Sequence, residues 1–275
     1  MMELLILGLL LGAAAAYVGA LVRFERGAKQ RMAEVGATTA ETDMTGMPAA
    51  DLPPPVARFA RQAGATGRAQ AVELAQRAEM RMAPDKPWRT ITARQAIAIR
   101  GPGFVWLAER RRGPFVVLRI VDAYVAGRGF LQARLLGAIP VADFSGLAAD
   151  RSELMRYLAE LAWAPDALLS NRALDWRTHA DGAIEVSAES RGGRAAVRLY
   201  FNNDGDIYEI RADARDSTEG GKVIPRPWVG RFADYQMMGD RRIPTRAEVG
   251  YVYDDGYAAY WRGRITDYRV IEGDG

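Results

Sequence analysis

Residues 150–169, DRSELMRYLAELAWAPDALL, decide how the rest of the chain is read. Leu154, Tyr157, Leu158 and Leu161 recur at i, i+3, i+4 and i+7, which places them on one face of a helix. Arg151, Arg156 and Glu160 fall outside that stripe. Asp150 is positioned to cap, and Glu153 three residues on completes a capping-box pattern. Pro165 has no N–H to donate and disfavours helix at Ala164, so the helix is expected to end near Trp163. An amphipathic helix must bury its apolar stripe against something. Almost everything on either side of it alternates with the period of a strand.

Residues 72–82 set Val72, Leu74, Ala78 and Met80 against Glu73, Arg77, Glu79 and Arg81, with Gln76 intruding on the apolar side. Further strand-like runs reach to residue 136. They are separated by turns at Pro84-Asp85-Lys86-Pro87, at Arg110-Arg111-Arg112-Gly113-Pro114 and at Gly127-Arg128-Gly129. Beyond the helix, Asp181-Gly182, Gly192-Gly193 and Asn203-Asp204-Gly205 punctuate a meander. Residues 229–270 then supply three more strands. Ten or eleven short strands at this spacing predict an antiparallel barrel or half-barrel. The expected fold class is α+β and mostly antiparallel β: a curved half-barrel sheet wrapping the central helix.

The N-terminus carries a different signal. Residues 4–22 are apolar and uncharged, and as a helix they would span roughly 28 Å, close to the ~30 Å hydrocarbon core of a bilayer. A cleavable leader would want a basic start and a shorter apolar run. An uncleaved single-pass transmembrane helix is therefore favoured. Arg23, Arg26, Lys29 and Arg31 follow it, and by the positive-inside rule they belong in the cytoplasm; the outer interface is the alternative. Residues 35–55 lack a hydrophobic period and end in Pro53-Pro54-Pro55, as a tether would. The expected division is 1–34 anchor and basic flank, 35–55 tether, and 56–271 β-rich domain opening with a short helix at Val56–Ala63. The expected location is a bacterial inner membrane.

Composition excludes several functions. The chain has no cysteine, so disulfides, thiolate nucleophiles and Cys-ligated zinc are out. A net charge of +3 on 275 residues is too mild for a nucleic-acid partner. His179, the sole histidine, lies beside a turn with no G-x-S-x-G motif in the chain to serve. Residues 202–206, NNDGD, misplace the glycine of a calcium loop and lack its distal glutamate, so a hairpin turn is the plainer reading. No cofactor loop or metal cluster is expected. Arg110-Arg111-Arg112 is read as a solvated hairpin tip, with contact to anionic headgroups as the sharper alternative.

ELMRYLAELAWAPDALL at 153–169, RPWVGRFADYQMMGDRRIPTRAEV at 226–249 and YWRGRITDY at 260–268 resemble a bacterial family of membrane-anchored proteins classed only as a domain of unknown function. The resemblance covers residues 52–268. The order of elements is similar to that of the Lol-type lipoprotein carriers. That likeness implies an incomplete barrel whose concave face holds acyl chains under helices. Those carriers are periplasmic, whereas the charges after this anchor favour the cytoplasm.

On this reading Trp106, Tyr124, Tyr157, Trp163, Trp228 and Tyr235 are candidate walls of an apolar pocket, and Arg262, like Arg156, is a candidate partner for an acidic head group. Simple core filling is the alternative for the aromatics. The expected function is non-catalytic, membrane-tethered binding of a lipid or other apolar small molecule. The alternatives are a structural or protein-interaction module without ligand and, third, an enzyme of unidentified chemistry.

Overall fold

The computed structural model describes residues 52–272 except 114, 137, 220 and 221, together with positions 19, 26, 27 and 30. Nearly all of the expected anchor and tether therefore lies outside the described residues. Among the described residues no helix is long and apolar enough to cross a membrane.

The chain enters through α1 (Pro54–Gln62), whose two leading prolines occupy helix positions that need no N–H donor. Six strands follow: β1 (Ala69–Met80), β2 (Arg89–Ala98), β3 (Phe104–Arg112), β4 (Phe115–Val125), β5 (Arg128–Leu135) and β6 (Ile139–Ser145). Then come α2 (Leu147–Ala159), a 3-10 turn (Leu161–Trp163) and α3 (Ala167–Ser170). Seven further strands complete the chain: β7 (Asp175–Thr178), β8 (Ile184–Ser190), β9 (Gly193–Phe201), β10 (Ile207–Glu219), β11 (Lys222–Met238), β12 (Arg241–Tyr253) and β13 (Gly256–Glu272).

All thirteen strands join one antiparallel sheet in the order β6-β5-β4-β3-β2-β1-β13-β12-β11-β10-β9-β8-β7. It is two meanders, zipped where β1 pairs β13 from Ala69↔Glu272 to Met80↔Trp261. The two edges, β6 and β7, are the strands joined through α2, so the central helix connects the open sides of the half-barrel. A sheet of this breadth coils because each strand is rotated against the last. The coiling shows in two glycines. A Cβ at Gly129, at the start of β5, would lie 2.3 Å from the Ala149 carbonyl oxygen, and one at Gly192, in the β8–β9 turn, 1.8 Å from that of Leu147. Both halves of the sheet thus meet the first turn of α2, and only glycine fits at either contact.

Alternation assigns an end to every hairpin. The β1–β2, β3–β4, β5–β6, β10–β11 and β12–β13 connections fall at one end of their strands. At the other end sits α1. Phe59 meets Phe201 and Tyr235 edge-on at centroid distances of 6.4 and 6.1 Å. Arg58 donates to the carbonyls of Asn203 and Asp204 in the β9–β10 turn. The α1 end is held by a second buried node, in which Asp166 accepts from Arg241 at 2.7 and 3.0 Å and from the amides of Thr66 and Gly67 at 3.0 Å.

The helix on the concave face is as expected, but its start is not. It begins three residues before Asp150, after Gly146 takes the turn at φ 97°. Asp150 does not cap; its Oδ1 accepts from the Gly129 amide at 2.7 Å, which ties the helix to β5. Glu153 closes no capping box, because its side chain is drawn into the interior. The helix proper stops at Ala159, and the 3-10 turn carries the chain to Trp163 before Pro165. Thirteen strands replace the expected ten or eleven. Residues 115–125 form one continuous strand, and β6 escaped notice because Pro140 breaks its pattern; proline is tolerated on an edge strand.

Candidate functional site

The stripe that predicted α2 is fully buried: Leu154, Tyr157, Leu158 and Leu161 are each 0% exposed. The opposite face of the helix was expected in solvent. Instead Ser152, Glu153 and Glu160 are buried as well, and Arg156 is largely so. A helix held inside a coiled sheet has no free side, so its polar face needs polar partners on the strands.

Those partners form a continuous chain. Trp106 Nε1, from β3, donates to Gln76 Oε1 on β1 at 2.8 Å. Gln76 Nε2 donates to Gln95 Oε1 on β2 at 3.1 Å, and Gln95 Nε2 donates in turn to Glu160. Glu160 Oε1 accepts from Arg156 Nε at 2.9 Å, and a terminal nitrogen of Arg156 donates to Asp122 Oδ2 on β4 at 2.5 Å. The Arg156 guanidinium lies over the rings of Phe104 and Trp106, 4.8 and 5.0 Å from their centroids. Burial works against its charge, but Glu160 and Asp122 outweigh that and push its pKa up.

Glu153 faces Asp122 across the helix. Burial and then the Asp122 charge push its pKa well above the ordinary glutamate range. Asp122 Oδ1 and Glu153 Oε2 are buried carboxyl oxygens with no hydrogen-bond partner among the described residues. A proton on Glu153 would bond it to Asp122, so that the two acids would share one proton. On the far side, Glu153 Oε1 is 3.6 Å from Arg215 of β10.

Arg215 is buried, with only 8% of its side chain exposed, yet it is loosely held. Its contacts are the Ser152 carbonyl at 3.4 Å and the hydroxyls of Tyr260 at 3.3 Å and Tyr251 at 3.5 Å. Its guanidinium stands 4.6 Å from the Trp228 ring centroid, and Trp228 Nε1 donates to the Tyr260 hydroxyl at 3.1 Å. Tyr251 and Tyr260 stack at 5.4 Å, and Tyr253 meets Tyr251 edge-on. These three tyrosines are half-buried and lie toward the end of the sheet opposite α1. The interior thus ends in an aromatic wall carrying one arginine with no short hydrogen bond.

The seven residues singled out from sequence are not gathered in one place. Trp106 and Trp228 stand at opposite ends of the polar chain. Tyr157 donates to the Ala98 carbonyl at 3.1 Å and accepts from Asn171 at 2.8 Å, deep in the core. Trp163 donates to the Pro244 carbonyl at 2.9 Å and packs edge-on against Phe232 and Trp261. Tyr124 is buried on β4, its pKa raised by burial and then by the Asp150 charge. Tyr235 lies under α1 and donates to the Ile207 carbonyl at 2.8 Å. Arg262 is exposed, paired with Glu79 at 2.7 Å and laid over Trp88.

Sequence reading missed Gln95, Asp122, Glu153, Glu160 and Arg215. The one visible signal was Gln76, a polar residue on the apolar side of β1. His179 sits beside its turn, with Nε2 3.1 Å from Glu185. Among the described residues no group of acidic or histidine side chains is placed to hold a metal ion.

No curated protein matches the chain. Solved structures similar to it include a LolA superfamily protein from Nitrosomonas europaea, at 9% identity over 78% of this chain and 93% of that chain, with a TM-score of 0.42. A putative outer membrane lipoprotein-sorting protein domain from Vibrio parahaemolyticus is 12% identical over 80% and 92%, with a TM-score of 0.45. A DUF1329 family protein from Desulfovibrio piger is 10% identical over 80% and 92%, with a TM-score of 0.44. The model of a family of unknown function, DUF6544, matches residues 43–263, and the chain belongs to that family.

Proposed function

We propose that the half-barrel binds an amphipathic, lipophilic molecule without catalysis, held near a bacterial membrane by the apolar segment at residues 4–22. The observation that carries this reading is Arg215. A buried guanidinium normally gathers short, charge-assisted bonds. This one has none under 3.3 Å, and its nearest acid, Glu153, lies 3.6 Å away with its pKa pushed up by burial and by Asp122. It therefore offers positive charge to an incoming anion. Around it, Trp228, Tyr251 and Tyr260 supply the apolar surface that the body of such a ligand needs. The head group would be a carboxylate or phosphate at Arg215, and the chain would lie along the tyrosines. Native mass spectrometry of the purified protein tests this. An adduct of lipid mass is expected on the wild type and should be lost in Arg215→Met. A clean apo mass for the wild type would sink the proposal.

A second reading has its own observation. The stripe of α2 is 0% exposed, so the concave face under the helix is already filled. If no ligand is found, the fold is a structural or interaction module whose interior is simply its core.

A further inference from the structure

Two neighbouring hairpins at the end opposite α1 expose large apolar side chains. Phe115 opens β4 with 71% of its surface exposed. Beside it, the β5–β6 hairpin presents Leu136 at 42%, Ile139 at 53% and Val141 at 54%. The two tips are adjacent. Leu118 pairs with Leu135, the Leu136 amide donates to the Val117 carbonyl at 2.9 Å, and Leu135 pairs with Ile139. Single exposed apolar residues are ordinary on a protein surface, but four on two adjoining tips call for a reason.

Leu136 strengthens the case. It adopts φ 50°, the left-handed conformation for which a turn prefers glycine or asparagine. Leucine there strains the backbone while leaving 42% of its surface in solvent. The β3–β4 tip also carries a run of three arginines. Arg110, Arg111 and Arg112 close β3 beside Phe115, and against them stands Glu109, which pairs with Arg111 at 2.8 Å. Apolar residues at the tip with arginines just behind them match the two layers of an anionic bilayer surface, acyl chains and phosphates.

We propose that the β3–β4 and β5–β6 tips dock on an anionic lipid bilayer, with Phe115, Leu136 and Ile139 entering the interface and Arg111 and Arg112 meeting the phosphates. The docking is independent of whether the half-barrel takes a ligand. It lays the end opposite α1 on the bilayer. β1, twelve residues long, spans about 40 Å at ~3.3 Å per residue. Residues 35–53 would reach roughly 63 Å if extended at the same ~3.3 Å per residue, enough for a chain anchored at its N-terminus to dock by this end.

The absence of cysteine makes a clean test. Full-length Ile139→Cys carries an environment-sensitive fluorophore at the tip. Full-length Tyr208→Cys carries it at an exposed position on β10 near α1. Each protein is reconstituted in phosphatidylcholine vesicles with and without phosphatidylglycerol, both containing a nitroxide-labelled lipid. Thermal melts matching the wild type establish that the labelled chains are folded. The expected result is quenching at position 139 that requires phosphatidylglycerol, with little at 208. Arg111→Glu combined with Arg112→Glu should abolish it, and neutralising either arginine alone should weaken docking about fivefold, the factor for one cation near an anionic surface. Quenching at 139 no greater than at 208, or indifferent to phosphatidylglycerol and to charge reversal, would overturn the proposal. Burial of the 139 label by dimerisation, seen as a doubled mass in solution, would overturn it in favour of contact between copies of the chain.

Discussion

Glu153→Gln separates the titration of Glu153 from everything else in the interior. Glu153 is 2% exposed and faces Asp122 on β4, Arg156 on its own helix, and Arg215 and Tyr251 on the opposite strands. Burial and Asp122 raise its pKa in the folded state above the unfolded value of ~4.3. The sign follows from linkage. Below the unfolded value both states hold the proton, and its stabilisation is fully present. As pH rises past ~4.3 the unfolded chain releases the proton while the folded chain keeps it, so stability falls until the folded pKa is passed. The slope for one such proton is about 1.4 kcal/mol per pH unit. Glutamine has the same shape, its amide N–H replaces the shared proton to Asp122 Oδ1, and it does not titrate. Chemical denaturation of wild type and variant at several pH values from 5 upward gives the difference directly, because all other groups cancel. The variant should be close to wild type at pH 5 and gain on it by up to ~1.4 kcal/mol per unit above that. Parallel pH profiles would refute the shared-proton geometry, as would a loss above ~3 kcal/mol at pH 5, the size expected when a buried charge loses its partner.

Asp122→Asn, isosteric at the other end of the same pair, should cost about 1.5–3 kcal/mol at pH 7, because it removes the charge from one of the two carboxylates that hold the buried Arg156; urea denaturation reads it. Leu158→Ala, at a fully buried site on α2, should cost about 2–5 kcal/mol by the same assay. Trp163→Ala should cost about 3–5 kcal/mol, since it also removes the hydrogen bond to Pro244; stability near wild type with lost lipid adduct would instead place Trp163 in a ligand wall. Gly192→Ala puts a Cβ 1.8 Å from the Leu147 carbonyl oxygen, so α2 or the β8–β9 turn must shift, with a cost of at least ~1–3 kcal/mol in a thermal melt.

Much of the fold was legible because its signals are local. The Leu154–Leu161 stripe, the glycine turns and the alternation of β1 each act within a few residues, and each names its element. The join between β1 and β13 was not legible, since it links the start and end of the domain through a register that no short window contains. Asp150 shows the same limit on a smaller scale. Its position before a helical run fits a cap, but a backbone amide 21 residues away competes for its carboxylate and wins. The candidate site was the least legible part. Asp122, Glu153, Arg156 and Arg215 are ordinary strand and helix residues in sequence, and nothing local says that they will face one another.

The reason lies in where the helix sits. An amphipathic pattern ordinarily divides core from solvent. Here α2 links the two edges of a coiled sheet and lies within its curve, so its polar face meets strands instead of water. Charge there has to balance internally. Arg156 and Arg215 are matched by Asp122 and Glu160 only while Glu153 stays protonated; its ionisation would leave one uncompensated negative charge in the interior. The raised pKa of Glu153 is thus the interior's own route to neutrality. Arg215, whose nearest carboxyl oxygen is 3.6 Å away, stands at the end of the half-barrel where the wall is aromatic. An anion arriving at Arg215 would add a negative charge beside Glu153 and hold its proton more firmly. If the proposed ligand binds at Arg215, its binding and the protonation of Glu153 are coupled through that one guanidinium.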